Sequence, residues 1–177
     1  MYPLLQKLRG ILFKTMVPKA GERWKMPPLA KIYEAFGALG DERVQLKDEA
    51  HASVLSSDGS KTYQVEISAD LRTISSNDNA SYWQGYLGYP AIAVMLKRGL
   101  RPVRAEVINA LTGIPWNELN RRFRNDYRRT IEEVMRRAEQ RGFDSKVIAA
   151  EAEAVLSKLS EFGPLRGPRR RLVRSHR

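Results

Sequence analysis

The chain has 177 residues, with 31 Lys and Arg against 20 Asp and Glu, a net charge of +11 and a pI near 10.1. That length allows one domain, and a core of about 130 residues buries enough surface to stand without covalent staples. With no cysteine in the chain, disulfides, thiolate zinc sites, iron–sulfur clusters and thiol catalysis are excluded.

Residues 1–28 hold six cations (Lys7, Arg9, Lys14, Lys19, Arg23, Lys25) and one acid, Glu22. Proline at position 3, followed by Leu4, Leu5, Leu8, Ile11, Leu12 and Met16, predicts a basic amphipathic helix, able to dock on the body, on a membrane surface or on a protein partner. Lys14 interrupts the only apolar stretch of residues 1–20, so no secretory signal is expected there. Residues 18–28 read as an extended linker with Trp24 among basic neighbours. The segment 1–28 is thus expected to be a basic extension.

A body over residues 29–141 begins after Pro27 and Pro28. Leu29, Ile32, Tyr33, Phe36 and Leu39 line one face of a helix that Gly40 ends. Alternation over 44–47, 52–55, 62–67 and 72–75 predicts a small antiparallel meander of three or four strands, with a turn at Ser57, Asp58, Gly59 and Ser60. Asp58, Asp70 and Asp78 fall at turns, where their carboxylates cap backbone amides. His51, beside Asp48 and Glu49, reads as a surface or packing residue. No phosphate-cradling glycine loop, nucleophile elbow or metal-ligand spacing is present, so neither an enzyme nor a cofactor is expected.

Residues 75–90 put Tyr82, Trp83, Tyr86 and Tyr89 beside Asn77, Asp78, Asn79 and Gln84. The segment reads either as a loop folded over the meander or as a platform on which unpaired bases stack, through Tyr82, Trp83 and Tyr86, with Trp24 as a further candidate. The lack of cations among these aromatics favours the loop, and the exposure of Trp83 decides between the two.

From Pro90 the pattern turns helical up to Lys97, Arg98 and Gly99, then again over 103–111 up to Gly113. Trp116, Leu119, Phe123, Tyr127, Ile131, Val134 and Ala138 recur at helical spacing, predicting one long straight helix ended by Gly142. On it Arg121, Arg124 and Arg128 form a stripe opposite the apolar face, while Arg136 and Arg137 follow Glu132 and Glu133 by four residues. The segment 105–129 resembles a helix-turn-helix in imperfect register. A last helix, capped by Asp144 or Ser145, occupies most of 142–163. Residues 164–177 form a tail with six arginines (Arg166, Arg169, Arg170, Arg171, Arg174, Arg177) and no acid.

Two likenesses follow from these motifs. The meander running into S-N-D-N and then G-Y-P-A-I-A-V-M-L resembles the β-β-α layout of the SWIM zinc finger, with alanine and isoleucine where metal ligands would stand. More closely, S-S-D-G-S-K-T-Y at 56–63, S-N-D-N-A-S-Y-W-Q-G-Y-L-G-Y-P at 76–90 and G-I-P-W-N-E-L-N at 113–120 resemble a small uncharacterised family of thermophilic archaea. That likeness implies no activity.

The sequence therefore predicts an α+β fold, a meander packed with four or five helices, between basic ends. Residues 29–163 balance 19 cations with 19 acids, so the +11 belongs to the ends. Such a distribution suits a polyanion. The expected function is a non-enzymatic, cytoplasmic RNA-binding protein, ribosomal or ribosome-associated, whose partners are rRNA and neighbouring ribosomal proteins. The alternative is a DNA-binding chromatin or transcription factor using 105–129. An enzyme acting on nucleic acid would require the Asp58, Asp78 and Tyr82 region to form an open cleft.

Overall fold

The computed structural model describes residues 18–169, so the segment 1–17, with Lys7, Arg9 and Lys14, and the cations Arg170, Arg171, Arg174 and Arg177 lie outside the described residues. The fold is α+β. Its elements are α1 (Leu29–Gly40), β1 (Val44–Leu46), β2 (His51–Leu55), β3 (Thr62–Ile67), β4 (Thr73–Ser76), a single π turn (Ala80–Gln84), α2 (Tyr89–Lys97), α3 (Ala105–Leu111), α4 (Trp116–Arg122), α5 (Tyr127–Gln140), α6 (Ser145–Phe162) and β5 (Leu165–Arg166). No helix among the described residues is long and apolar enough to cross a membrane.

The sheet runs β1-β2-β3-β4-β5, antiparallel except for the parallel pair β4–β5. Val44, Ala52, Val54, Val65, Ile67 and Ile74 alternate onto one face and are buried, as period-two patterning requires. Against them lies α2, whose residues from Pro90 to Leu96 are all buried. An apolar helix of this kind has to be covered on every side, and α1 covers it away from the sheet. Helix α1 also lets α4 approach closely, through its small residues. A Cβ on Gly37 would come within 2.5 Å of the Trp116 indole nitrogen.

Three expectations need correction. The long helix is broken into α4 and α5. Arg124 and Asn125 take left-handed backbone angles, φ 52° and 60°, and Asp126 restarts the helix by accepting from the Arg129 amide. Asparagine tolerates that conformation and aspartate is a strong cap. The arginine stripe on one helix consequently does not exist.

Secondly, a fifth strand was not expected. Residues 21–24 strap across it: the Gly21 amide donates to the Arg166 carbonyl at 2.7 Å, and the Trp24 amide to the Pro164 carbonyl at 3.1 Å. Residues 18–28 and 163–169 are thereby built into the body. Thirdly, Trp24 is core, only 7% exposed, with its indole donating to the Ile74 carbonyl. It is no stacking platform.

Candidate functional site

Five segments distant in sequence converge on one cleft of about 790 Å³. Helix α1 supplies its floor, the β2–β3 turn one wall, the π turn and the following loop another, and α4 with the start of α5 the third. A hydrogen bond from the Asn117 amide to Ser57 Oγ, 2.9 Å, ties the β2–β3 turn to α4.

On the floor, Lys31 and Glu34 lie one helical turn apart and pair at 2.8 Å, with only 8% and 4% of each residue exposed. The Lys31 ammonium also sits 4.7 Å from the centre of the Tyr127 ring. Burial by itself would lower the Lys31 pKa; Glu34 and Tyr127 outweigh it and hold the value above the ordinary lysine range. Asn120 Nδ2 donates to the same Glu34 oxygen at 3.2 Å. Its Oδ1 is shut off from solvent and has no donor among the described residues, a costly state for a carbonyl oxygen.

The walls are aromatic and amide. Tyr63, Tyr86, Tyr89 and Tyr127 face the cleft with Asn79, Gln84, Asn117 and Asn125, and Tyr63 meets Tyr89 edge to face at 6.0 Å. Burial pushes the Tyr63 and Tyr86 phenols up to about 12, and Tyr89 further. All three stay protonated at neutral pH and serve as donors and ring faces, not as bases.

Asp58 and Asp78 do line this open cleft. Tyr82 is not among its lining residues. Both carboxylates are taken up by their own turns. Asp58 accepts from the Ser60 hydroxyl at 2.6 Å, the Ser60 amide at 3.1 Å and Ser56 Oγ at 2.8 Å, and these bonds, that from Ser60 foremost, hold it below the usual carboxylate range. Asp78, buried, accepts from Ser76 Oγ at 2.6 Å and from the Ser81 hydroxyl and amide at 2.7 and 3.0 Å. Gly88 passes directly against Asp78, where a Cβ would collide with the carboxylate. Acids so engaged act as turn caps, as the sequence suggests.

The rim is mixed in charge, with the exposed, turn-capping Asp58 beside half-buried Lys61 and exposed Arg121. Lys61 and Arg121 line it, and neither forms an ion pair among the described residues. Trp83 stands beside them with 55% of its surface exposed, and it meets Tyr82 edge to face at 4.7 Å. Arg169 lies over Tyr82, its guanidinium carbon 3.8 Å from the ring centre and 6.0 Å from that of Trp83. The aromatic segment is thus divided: Leu87 joins the core, Tyr86 walls the cleft, and Trp83 faces solvent. The cation missing from its sequence arrives from the other end of the chain.

The other expected contacts scatter. Arg166 is buried, 4% exposed, with its guanidinium 4.7 Å from the Trp24 ring centre and Nη1 donating to the Pro18 carbonyl; it is structural, which corrects its assignment to the tail. Lys25 Nζ reaches the Gln84 carbonyl at 3.4 Å. Arg23 packs by Gly163, and Lys19 is exposed. Arg124 is exposed in the α4–α5 turn. Arg128 pairs with Glu132 at 3.0 Å, whereas Arg136 and Arg137 both pair with Glu133 at 2.8 and 2.7 Å, leaving Glu132 to Arg128 alone. Lys31, Glu34, Lys61, Tyr63, Asn117, Asn120 and Tyr127 had not been singled out. Lys61, Tyr63, Asn117 and Asn120 stand within the motifs at 56–63 and 113–120, and Lys31 and Glu34 are a charged pair three residues apart inside an otherwise apolar helix.

Residues 24–164 match the family described as Uncharacterised conserved protein UCP014422. The chain belongs to this family. The matched region opens at Trp24 and closes at Pro164, the two residues joined by the strap, so the family's shared part is the folded body and contains every lining residue of the cleft. No curated protein and no solved structure matches the chain.

Proposed function

We propose that this protein is a non-catalytic RNA-binding component of a cytoplasmic ribonucleoprotein, of ribosomal or ribosome-associated type. The observation that carries the reading is the position of Arg169. It lies over the half-buried Tyr82 and 6.0 Å from the ring centre of the exposed Trp83, which lines the same cleft as Lys61 and Arg121. The arginine-rich end of the chain therefore departs from the mouth of an aromatic cleft.

Cations next to exposed rings suit a single strand, whose phosphates meet the charges while its bases stack. Groove reading fits less well. Helix α4 is seven residues long, and its Asn117, Asn120 and Arg121 are spent on the cleft, whereas a recognition helix offers that face to base edges. Arginine in place of lysine adds planar stacking to charge. The likeness to a thermophilic-archaeal family fits a cysteine-free, ion-paired chain working hot.

Filter binding of the full chain to single-stranded RNA across a salt series tests the reading. Log K is expected to fall steeply with log salt. Deleting residues 170–177 removes four arginines and should flatten the slope by about 3, at roughly 0.7 per phosphate contact. Binding that ignores salt, or ignores the deletion, refutes it.

A further inference from the structure

We propose that the cleft is a nucleobase pocket, taking one unpaired base with its phosphate at the Lys61 and Arg121 rim. This deepens the RNA-binding reading and rests on it for the source of the base. The cleft's volume, about 790 Å³, is in the range of small-molecule pockets, roughly 300–1,000 Å³, and exceeds what stacking on one exposed ring would need.

The chemistry of the lining changes with depth. At the floor the Glu34 charge is cancelled by Lys31, so the deepest part of a ligand should be neutral. That part should also carry a donor: Asn120 lines the cleft with its Nδ2 committed to Glu34, and a ligand that turns the amide toward the cleft supplies the partner its buried Oδ1 lacks. A base edge presents N–H groups of this kind on a flat neutral ring. Midway up, protonated tyrosines provide ring faces and amides provide paired donors and acceptors, the groups with which proteins hold splayed-out bases. At the mouth, Lys61 and Arg121 lack ion pairs and suit an anion. A neutral planar heterocycle below and a phosphate above is the order met in a nucleotide. A free sugar would use the amides and rings but leave the rim cations without a role.

The test uses the full chain and two RNA hairpins, one fully paired and one with a single bulged 2-aminopurine nucleotide, together with the four ribonucleoside monophosphates and glucose. Trp83 is the exposed one of three tryptophans, with Trp24 and Trp116 buried, so its fluorescence reports on the mouth. The bulged hairpin should bind at least tenfold more tightly than the paired one, with a change in 2-aminopurine emission. Trp83→Ala should weaken the bulged complex about 5- to 100-fold, from the usual worth of a stacked base. Asn120→Ala should erase the preference for the bulge while leaving the salt slope intact.

RNA binding that is salt-dependent yet indifferent to the bulge and to both variants overturns the pocket and leaves the RNA-binding reading standing. Monophosphates that bind and respond to both variants, with no RNA binding, support the pocket and overturn the RNA-binding reading. Quenching of Trp83 by glucose but by no nucleotide overturns the pocket.

Discussion

The closed floor of the cleft can be tested by removing one charge. In Glu34→Gln the shape is kept, and the Asn120 amide keeps an acceptor, but the Lys31 ammonium is left buried without its partner. The protein's cheapest relief is to release the proton. For a group whose ordinary value is 10.5, holding it neutral at pH 7 costs about 5 kcal/mol and at pH 9 about 2 kcal/mol, at roughly 1.4 kcal/mol per unit. The first figure caps the loss and agrees with the roughly 3–5 kcal/mol found when one member of a buried pair is removed.

The pH dependence reverses with the variant. In the native protein the folded Lys31 value lies above 10.5, so its contribution is complete below about pH 10.5 and is lost as pH rises through the folded value. In Glu34→Gln burial governs, the folded value falls below 10.5, and stability rises with pH between the two. Urea unfolding at pH 7, 8 and 9 should show the native protein flat over this range and the variant gaining up to about 3 kcal/mol on it. Adding Lys31→Met should restore most of the stability and abolish the slope. A loss under about 1 kcal/mol at pH 7 with no pH dependence would mean that water reaches the pair and the floor is not closed.

The two tryptophans flanking the sheet should separate cleanly. Trp24→Ala is expected to cost about 3–5 kcal/mol in chemical denaturation, as a core truncation, whereas Trp83→Ala should stay within about 0.5 kcal/mol; the reverse order would refute their assignment. Gly88→Ala should destabilise by about 1–3 kcal/mol through overpacking against Asp78, read by thermal unfolding, while Gly59→Ala, at a position open to space but with φ 71°, is expected to show backbone strain alone. Asp58→Ala should lower the melting temperature at pH 7 and matter progressively less as pH falls below about 4, since a depressed carboxylate contributes only while ionised; an undiminished effect at pH 2 would refute the account. On the proposed reading, the effects on RNA affinity of Trp83→Ala and of deleting 170–177 should be non-additive in a double-mutant cycle, and strict additivity would place tail and cleft on separate contacts.

Local patterns carried the meander of three or four strands because each strand alternates over several residues, and the residue types at the ends of the last helix, Asp144 or Ser145 at its start and Gly163 at its stop, marked its caps. β5 was not legible. Two residues cannot show a period, and Arg166 in an arginine-rich run reads as charge when it is in fact packed on Trp24. The α4–α5 break was hidden by its own apolar spacing: Phe123 and Tyr127 stay in phase with Trp116 and Ile131 although the chain leaves the helix between them. The residue types at the break, an asparagine with left-handed angles followed by a capping aspartate, were the available signal. The cleft was out of reach for a different reason. Lys31, Tyr63, Asp78, Asn120 and Tyr127 each satisfy a local rule as helix face, strand or turn, and only the topology that lays α1, the β2–β3 turn and α4 side by side makes them a site.

That topology also alters what the basic ends can do. The charge count alone describes two loose arms on a neutral body, each free to find its own phosphates. The strap joins residues 21–24 to 164–166, so both segments meet at the β5 edge of the sheet, and the last described cation, Arg169, is stacked on Tyr82 next to Trp83. On the proposed reading, a strand that meets Arg169 lies near Trp83, at the cleft in which a base is held. On that reading, affinity from the charge of the tail and selectivity from an unpaired base are separable in measurement, the one as a salt slope and the other as a preference for a bulge.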